Sequence, residues 1–312
     1  MEQNRLGNSG LKVPHLSLGT MTWGEATDEE SAAIMLRSYL EAGGTLLDTA
    51  AAYGDGTSEA VIGAFLGELV PRQEVTIVSK AGLGRRSGAR EVDASRGAML
   101  RSLDASLARL GTDYLDLWLA HTWDDQAPLE ETLSALEFAV TSGRARYVGV
   151  SNYAGWQLAR AISLSPVPLV AVQSEYSLLK RTAERELIPA AQALGAGVMA
   201  WSPLGRGVLT GKYRGGIPAD SRGGSEAGAA YVEPYLTGRP VRITEALATA
   251  ARGLDVPPLE LALGWLLGQA GVATAVVGPR TPAQLNQILQ ASPKSIPAEI
   301  ASALDDISAP PA

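Results

Sequence analysis

The sequence predicts a closed (β/α)8 barrel of the TIM type, built from 312 residues. Three observations predict it. Eight short apolar runs, mostly β-branched, each give way to a helical pattern or to a loop and then a helix. Strands that alternate with helices imply a parallel sheet. Eight such units suit a closed barrel at this length, the alternative being a doubly wound open sheet. Residues 1–312 are therefore expected to form a single domain, with a short N-terminal hairpin and a long loop after strand seven.

The elements follow in order. Asn8, Ser9 and Gly10 make a tight turn between Leu6 and Leu11, as in a small hairpin. Residues 16–18 form the first buried strand and lead into Gly19, Thr20 and Met21. Thr27 or Asp28 caps a helix with apolar positions at Ala32, Ile34, Met35 and Tyr39, closed by Gly43 and Gly44. Strand two, 45–48, stops on Asp48. Tyr53 and a Gly-Asp-Gly turn come next, then a helix over 57–67. Strand three, 75–80, ends on Lys80, and a glycine-rich loop leads to a helix over 95–110. Strand four, 113–121, ends on His121, and Pro128 opens the following helix. Strand five, 145–152, ends on Ser151 and Asn152, before a helix over 155–164. Strand six ends near Gln173, before a helix over 184–194. Strand seven runs into Trp201 and Ser202. An irregular segment over 203–240 holds most of the late Gly and Pro. A helix over 257–269 leads to strand eight, 274–278, and Thr281-Pro282 starts the last helix.

Composition narrows the function. Hydrophobic residues make up 46% of the chain, enough for a large core. The net charge of −7 argues against a nucleic-acid or anionic-membrane partner. With no cysteine, disulfides and thiolate metal sites are excluded, and two histidines are too few for a His-based metal centre. The first ten residues lack a signal-like apolar core, and no run reaches the roughly 20 apolar residues of a membrane span. These features predict a soluble, cytoplasmic protein without a bound metal.

A barrel places its functional residues at the carboxyl ends of its strands. Asp48, Lys80, His121, Ser151, Asn152, Gln173, Trp201 and Ser202 all fall there. A tyrosine hydroxyl, with a free pKa near 10, can donate or accept a proton. A lysine ammonium nearby favours the phenolate: at about 4 Å and an effective dielectric of about 20, the attraction is on the order of 4 kcal/mol. Tyr53 is therefore expected to have a lowered pKa, with Asp48 keeping Lys80 charged and His121 positioning a substrate oxygen. Such a set protonates a carbonyl oxygen as it becomes an alkoxide, while a cofactor supplies the hydride.

The segments DTAAAYGDGTSE, VSKAG, YLDLWLAH, YVGVSN, AVQSEYSLL and WSPLGRGVLTGKY resemble the aldo-keto reductase family, in particular its bacterial and potassium-channel-β-like branches. The resemblance covers residues 6–291. It implies a (β/α)8 barrel that binds NADPH in extended form, with catalytic residues Asp48, Tyr53, Lys80 and His121. It also implies cofactor contacts. Gly19, Thr20 and Met21 lie after strand one; Ser151, Asn152 and Gln173 match the residues that hold the nicotinamide carboxamide. Trp201 matches the aromatic that stacks on the ring. Ser202, Pro203, Leu204, Gly205 and Gly207 match the pyrophosphate loop, with Lys212 beyond it. Gly278, Arg280, Thr281 and Gln284 match the segment that takes the adenosine 2′-phosphate. Arg280 at a helix start suits a phosphate physically.

The sequence also departs from the family pattern. Gln287 and Ile288 stand where the family commonly has Glu-Asn against the adenine. Trp23 and Trp123, after strands one and four, are expected to line the substrate pocket with Tyr53 and His121, favouring an apolar or aromatic carbonyl. Trp118 and Trp265 are expected in the core. The segment 214–237 reads either as a cofactor clasp or as an unstructured stretch. The Tyr176-x-x-x-Lys180 spacing resembles that of short-chain dehydrogenases, but no N-terminal glycine-rich turn accompanies it. Two other functions compete: a Schiff-base aldolase using Lys80, and an NADPH-binding regulatory subunit with little turnover. The partner expected is a small carbonyl compound, and the chain is expected to be a monomer or a weak homo-oligomer.

Overall fold

Strands that are apolar on both faces must be covered on both. The computed structural model, which describes residues 1–86, 89–291 and 296–310, covers them by closing the sheet on itself. A hairpin comes first, β1 (Gln3–Arg5) paired antiparallel with β2 (Lys12–Pro14). The barrel begins with β3 (Leu16–Gly19), β4 (Leu46–Asp48) and β5 (Thr76–Ala81). A second hairpin, β6 (Leu83–Arg86) with β7 (Ala89–Val92), lies outside the barrel. The barrel resumes with β8 (Leu115–Ala120), β9 (Ala145–Ser151), β10 (Leu169–Glu175), β11 (Gly197–Trp201) and β12 (Val272–Val277). Each barrel strand pairs in parallel with the next, and β12 returns to β3.

Helices cover the outside. They are α1 (Glu29–Glu41), α2 (Thr57–Phe65), α3 (Arg96–Leu110), α4 (Leu129–Thr141), α5 (Gly155–Leu164) and α6 (Leu187–Leu194), then α7 (Glu226–Val232), α8 (Arg239–Gly253), α9 (Pro258–Leu267), α10 (Pro282–Gln290) and α11 (Ala298–Ser308). Local chemistry fixes several starts. The Asp28 carboxylate accepts the Ser31 N–H, Ser95 accepts that of Ala98, and Thr281 accepts that of Gln284, with Pro282 at the first turn. Inside the barrel, Leu46, Val78, Leu117, Leu119, Ala171 and Met199 pack together, and Leu6 and Val13 of the first hairpin join them. That hairpin leaves the opposite, carboxyl-terminal mouth free.

The structure amends three expectations. The glycine-rich loop after strand three is largely the β6–β7 hairpin, with Ser87 and Gly88 outside the described residues. The segment 203–240 is not uniformly irregular. It contains a helical turn at Gly205–Thr210 and the helix α7, and Val208, Tyr213, Val232 and Tyr235 form a small core of its own. Two helices, α8 and α11, fall where the sequence reading has none. In α8 the buried stripe is Ile243, Thr244, Leu247, Ala248 and Ala251, at regular helical spacing. Among the described residues, no helix is long and apolar enough to cross a membrane, and no cluster of three or more His, Asp or Glu could hold a metal ion.

Candidate active site

β4 carries Asp48 out of the apolar Leu46-Leu47 run, and the chain then turns through Tyr53–Gly56. Gly54, Asp55 and Gly56 all have positive φ, which swings the chain back from Tyr53 into α2. On β5, alternation sends Ser79 outward toward α2 and Lys80 inward. Lys80 is fully buried. Its ammonium donates to Asp48 Oδ2 at 2.8 Å, to the Thr49 carbonyl at 2.8 Å and to the Tyr53 hydroxyl at 3.3 Å. The other oxygen of Asp48 accepts from Gln173 Nε2 at 2.6 Å. His121 follows β8 with its ring edge-on to Tyr53, centroids 5.9 Å apart. The four residues named from the sequence therefore converge on one barrel mouth.

Burial and charge compete at each group. Burial opposes a charge on Lys80, but the Asp48 carboxylate, followed by Tyr53, outweighs it and leaves the lysine pKa raised. Burial likewise pushes the Tyr53 hydroxyl up, and the Lys80 ammonium offsets this only in part. The expectation of a lowered Tyr53 pKa is thus corrected: desolvation of the phenolate outweighs the attraction of the cation. Tyr53 keeps its proton at neutral pH. Burial, then the charges of Lys80 and Arg90, lowers His121 to about 3, so its ring is neutral. Its Nδ1 is buried and has no hydrogen-bond partner among the described residues. Nε2 is left as the nitrogen available to a ligand.

Beside these groups lies a polar shelf. Asn152, at φ 57°, donates to the His121 carbonyl at 3.0 Å and to Ser151 Oγ at 3.1 Å, and accepts from Trp201 Nε1 at 3.0 Å. Ser202 and Arg206 also have positive φ, at 52° and 59°. Non-glycine residues in this conformation gather at ligand sites. The chain then passes Pro203, Leu204, Gly205 and Gly207 to Lys212. There the charges of Lys212, Arg222 and Arg280 act on one another. Crowding by protein, then Arg280 and Arg222, lowers the Lys212 pKa. Burial lowers that of Arg222, and Arg280 and Arg206 add to the effect. Among the described residues none of the three cations forms a salt bridge. Arg280 instead donates to the Asp220 carbonyl, and its own N–H is capped by Gln284 Oε1 at 2.9 Å. Gly278 is exposed beside it, and Thr281 caps α10.

Several expected contacts are placed differently. Gly19 and Thr20 are buried, and the Thr20 hydroxyl is committed to the Asp48 carbonyl and Ser58. They form barrel wall, whereas Met21 is 40% exposed. Trp23 does not line the pocket. It is fully buried, edge-on to Phe65 at 6.0 Å, because the bridge between Trp23 and Thr27 folds the loop inward. Trp123 is half-buried, with its N–H on Asp125 and its ring against Tyr153 and the exposed Trp156. Trp118 and Trp265 are in the core. Ile288 is buried and Gln287 exposed on α10, so only Gln287 can face a ligand. Tyr176 is buried with its hydroxyl on Glu184, a structural contact. Sequence reasoning missed Arg206 and Arg222. Arg206 reaches Glu175 at 2.9 Å and the Tyr231 carbonyl, fastening α7 beside the site. An arginine between two glycines and another in a loop have no periodic signal that could have drawn notice.

Comparison with known proteins agrees with this geometry. The aldo/keto reductase family profile matches residues 15–309. The chain is 34% identical to an uncharacterized oxidoreductase, YrpG, of Bacillus subtilis, over 98% of this chain and 96% of the relative. It is 35% identical to L-glyceraldehyde 3-phosphate reductase of Escherichia coli K12, over 93% of this chain and 87% of the relative. It is 33% identical to a probable voltage-gated potassium channel subunit beta of Oryza sativa, over 93% and 91%. A profile match over nearly the whole length of a chain that closes into an eight-stranded barrel, with relatives at 34% and 35% identity, establishes that the chain belongs to the aldo/keto reductase family of oxidoreductases.

Proposed function

We propose that the protein, acting as a single barrel domain, reduces aldehydes or ketones to alcohols with NADPH, reversibly, and that Tyr53 is the general acid. The observation that carries this reading is the chain of contacts from Asp48 through Lys80 to the Tyr53 hydroxyl, at 2.8 and 3.3 Å. Tyr53 holds its proton in the resting site, and the ammonium beside it stabilises the phenolate as the proton leaves. Neutral His121 donates a hydrogen bond to the substrate oxygen, and Tyr53 delivers its proton to that oxygen. NADPH would supply the hydride. Trp201 would stack on its nicotinamide, with Ser151, Asn152 and Gln173 at the carboxamide. Residues 202–207 would follow the pyrophosphate. Lys212, Arg222 and Arg280 suit the phosphates, because three mutually repelling cations without salt-bridge partners among the described residues fit an anionic ligand.

Lys80 is an unsuitable Schiff-base lysine, because Asp48 favours its charged form and only a neutral amine attacks a carbonyl. The likeness to a channel β subunit favours a second reading, a cofactor-binding regulatory subunit. One experiment separates the two: NADPH consumption with 4-nitrobenzaldehyde and related activated aldehydes, wild type against Tyr53→Phe. Turnover that collapses in the variant supports the reductase. Equal rates sink the role of Tyr53, and bound NADPH that no aldehyde oxidises favours the regulatory reading.

A further inference from the structure

Outside the barrel, beneath the two elements that meet in the site, lies a fully buried carboxylate. Glu59 stands on α2, three residues past the turn that carries Tyr53. Its Oε1 accepts from Ser79 Oγ at 2.5 Å, and Ser79 is the neighbour of Lys80 on β5. Its Oε2 accepts from both Nε and a terminal nitrogen of Arg109, at 2.8 and 2.6 Å. Arg109 comes from the last turn of α3. Its side chain also lies flat against Gly56, the final residue of the Tyr53 turn. A Cβ on Gly56 would stand 2.5 Å from Nε, 2.7 Å from Cδ and 2.8 Å from Cζ of Arg109. The helices approach closely enough to allow this, since a Cβ on Gly63 would meet the Arg109 carbonyl at 2.2 Å.

One array, with Glu59 and Ser79 buried and Arg109 partly exposed, thus backs the two segments that carry Lys80 and Tyr53. Ser79 and Glu59 hold the strand that bears Lys80, and Arg109 backs the turn that bears Tyr53. We propose that Arg109, with Glu59, is a positioning residue that sets the separation between the Tyr53 hydroxyl and the Lys80 ammonium. This rests on the reading of Tyr53 as the acid. A guanidinium suits the task because its rigid fork fixes both position and direction, which a lysine ammonium does not. A displacement of about 1 Å at the reacting groups is enough to cost about 100-fold in rate.

The test uses four variants of the whole protein with NADPH and 4-nitrobenzaldehyde. In Gly56→Ala the new methyl displaces the guanidinium. In Arg109→Lys the charge stays and the fork is lost. Both are expected to lower kcat at least tenfold with KM for NADPH unchanged, and to shift the basic limb of the pH–kcat profile, since the Tyr53–Lys80 coupling changes. Gly67→Ala is the control: Gly67 also has positive φ, at 87°, but nothing lies within 4 Å of its Cβ position, so the melting temperature falls and kcat and the pH profile do not. Tyr53→Phe is measured alongside. If Tyr53→Phe is inactive while Gly56→Ala and Arg109→Lys keep wild-type kcat and pH profile, losing only thermal stability, the positioning role is overturned and the acid stands. If Tyr53→Phe turns over normally, the acid assignment fails and this inference with it.

Discussion

Two regions at the same barrel mouth are built on opposite principles. Around Asp48, Lys80 and Tyr53 every strong charge is matched: Lys80 has three acceptors, and both oxygens of Asp48 are occupied. Around Lys212, Arg222 and Arg280, positive charges face one another without a carboxylate in salt-bridge contact among the described residues. The first arrangement is complete as it stands, as preorganised catalytic electrostatics require. In the second, Asp220 counters the repulsion on Lys212, but the Lys212 pKa stays lowered. Under the proposed function the first region carries the chemistry and the second captures the ligand, and mutations should separate them.

The largest effect is expected in the matched region. Tyr53→Phe removes the proton donor and leaves the packing, so kcat should fall by about 10²–10⁴ with NADPH binding unchanged, as read from turnover and NADPH fluorescence titration. The unmatched region should respond in the other parameter. Arg280→Ala or Arg222→Ala should weaken NADPH about 10–100-fold, the worth of a charge-assisted bond to phosphate. Turnover at saturating cofactor should stay near wild type, and raised salt should shrink the difference. A uniform loss of kcat in these variants would erase the distinction between the regions.

His121 sharpens the comparison through pH. Its pKa in the folded protein is about 3 against an ordinary 6.5, so between those values the unfolded chain binds the extra proton. Stability therefore falls as pH drops through this window, by about 1.4 kcal/mol per unit. In His121→Gln that component should vanish, so urea unfolding at pH 6.5, 5.5 and 4.5 should show a shallower loss than in wild type. Parallel slopes would show that the ring is not held neutral. The smallest effect belongs to the rim: Trp123→Ala should raise KM for aromatic aldehydes severalfold, consistent with one stacking contact, and leave kcat unchanged.

The sequence disclosed the barrel and the quartet for one physical reason. Apolar strands end where the barrel ends, so Asp48, Lys80 and His121 announce themselves as polar residues closing apolar runs. What it withheld was direction and long-range meeting. Trp23 sits in a loop on the site face, yet its indole turns into the core against Phe65. Tyr53 lies beside an ammonium, yet the extent of its burial, which fixes the sign of its shift, is a property of the folded site. Arg222 and Arg280 lie far apart in sequence, and only the fold brings their charges together. The hairpin β6–β7 escaped because its glycines and arginines mask any alternation.

The most direct test of the account is turnover of 4-nitrobenzaldehyde by Tyr53→Phe at an NADPH concentration shown by titration to saturate both proteins. The account predicts full cofactor occupancy with a rate at least 100-fold below wild type. A saturated Tyr53→Phe enzyme turning over at the wild-type rate would contradict it.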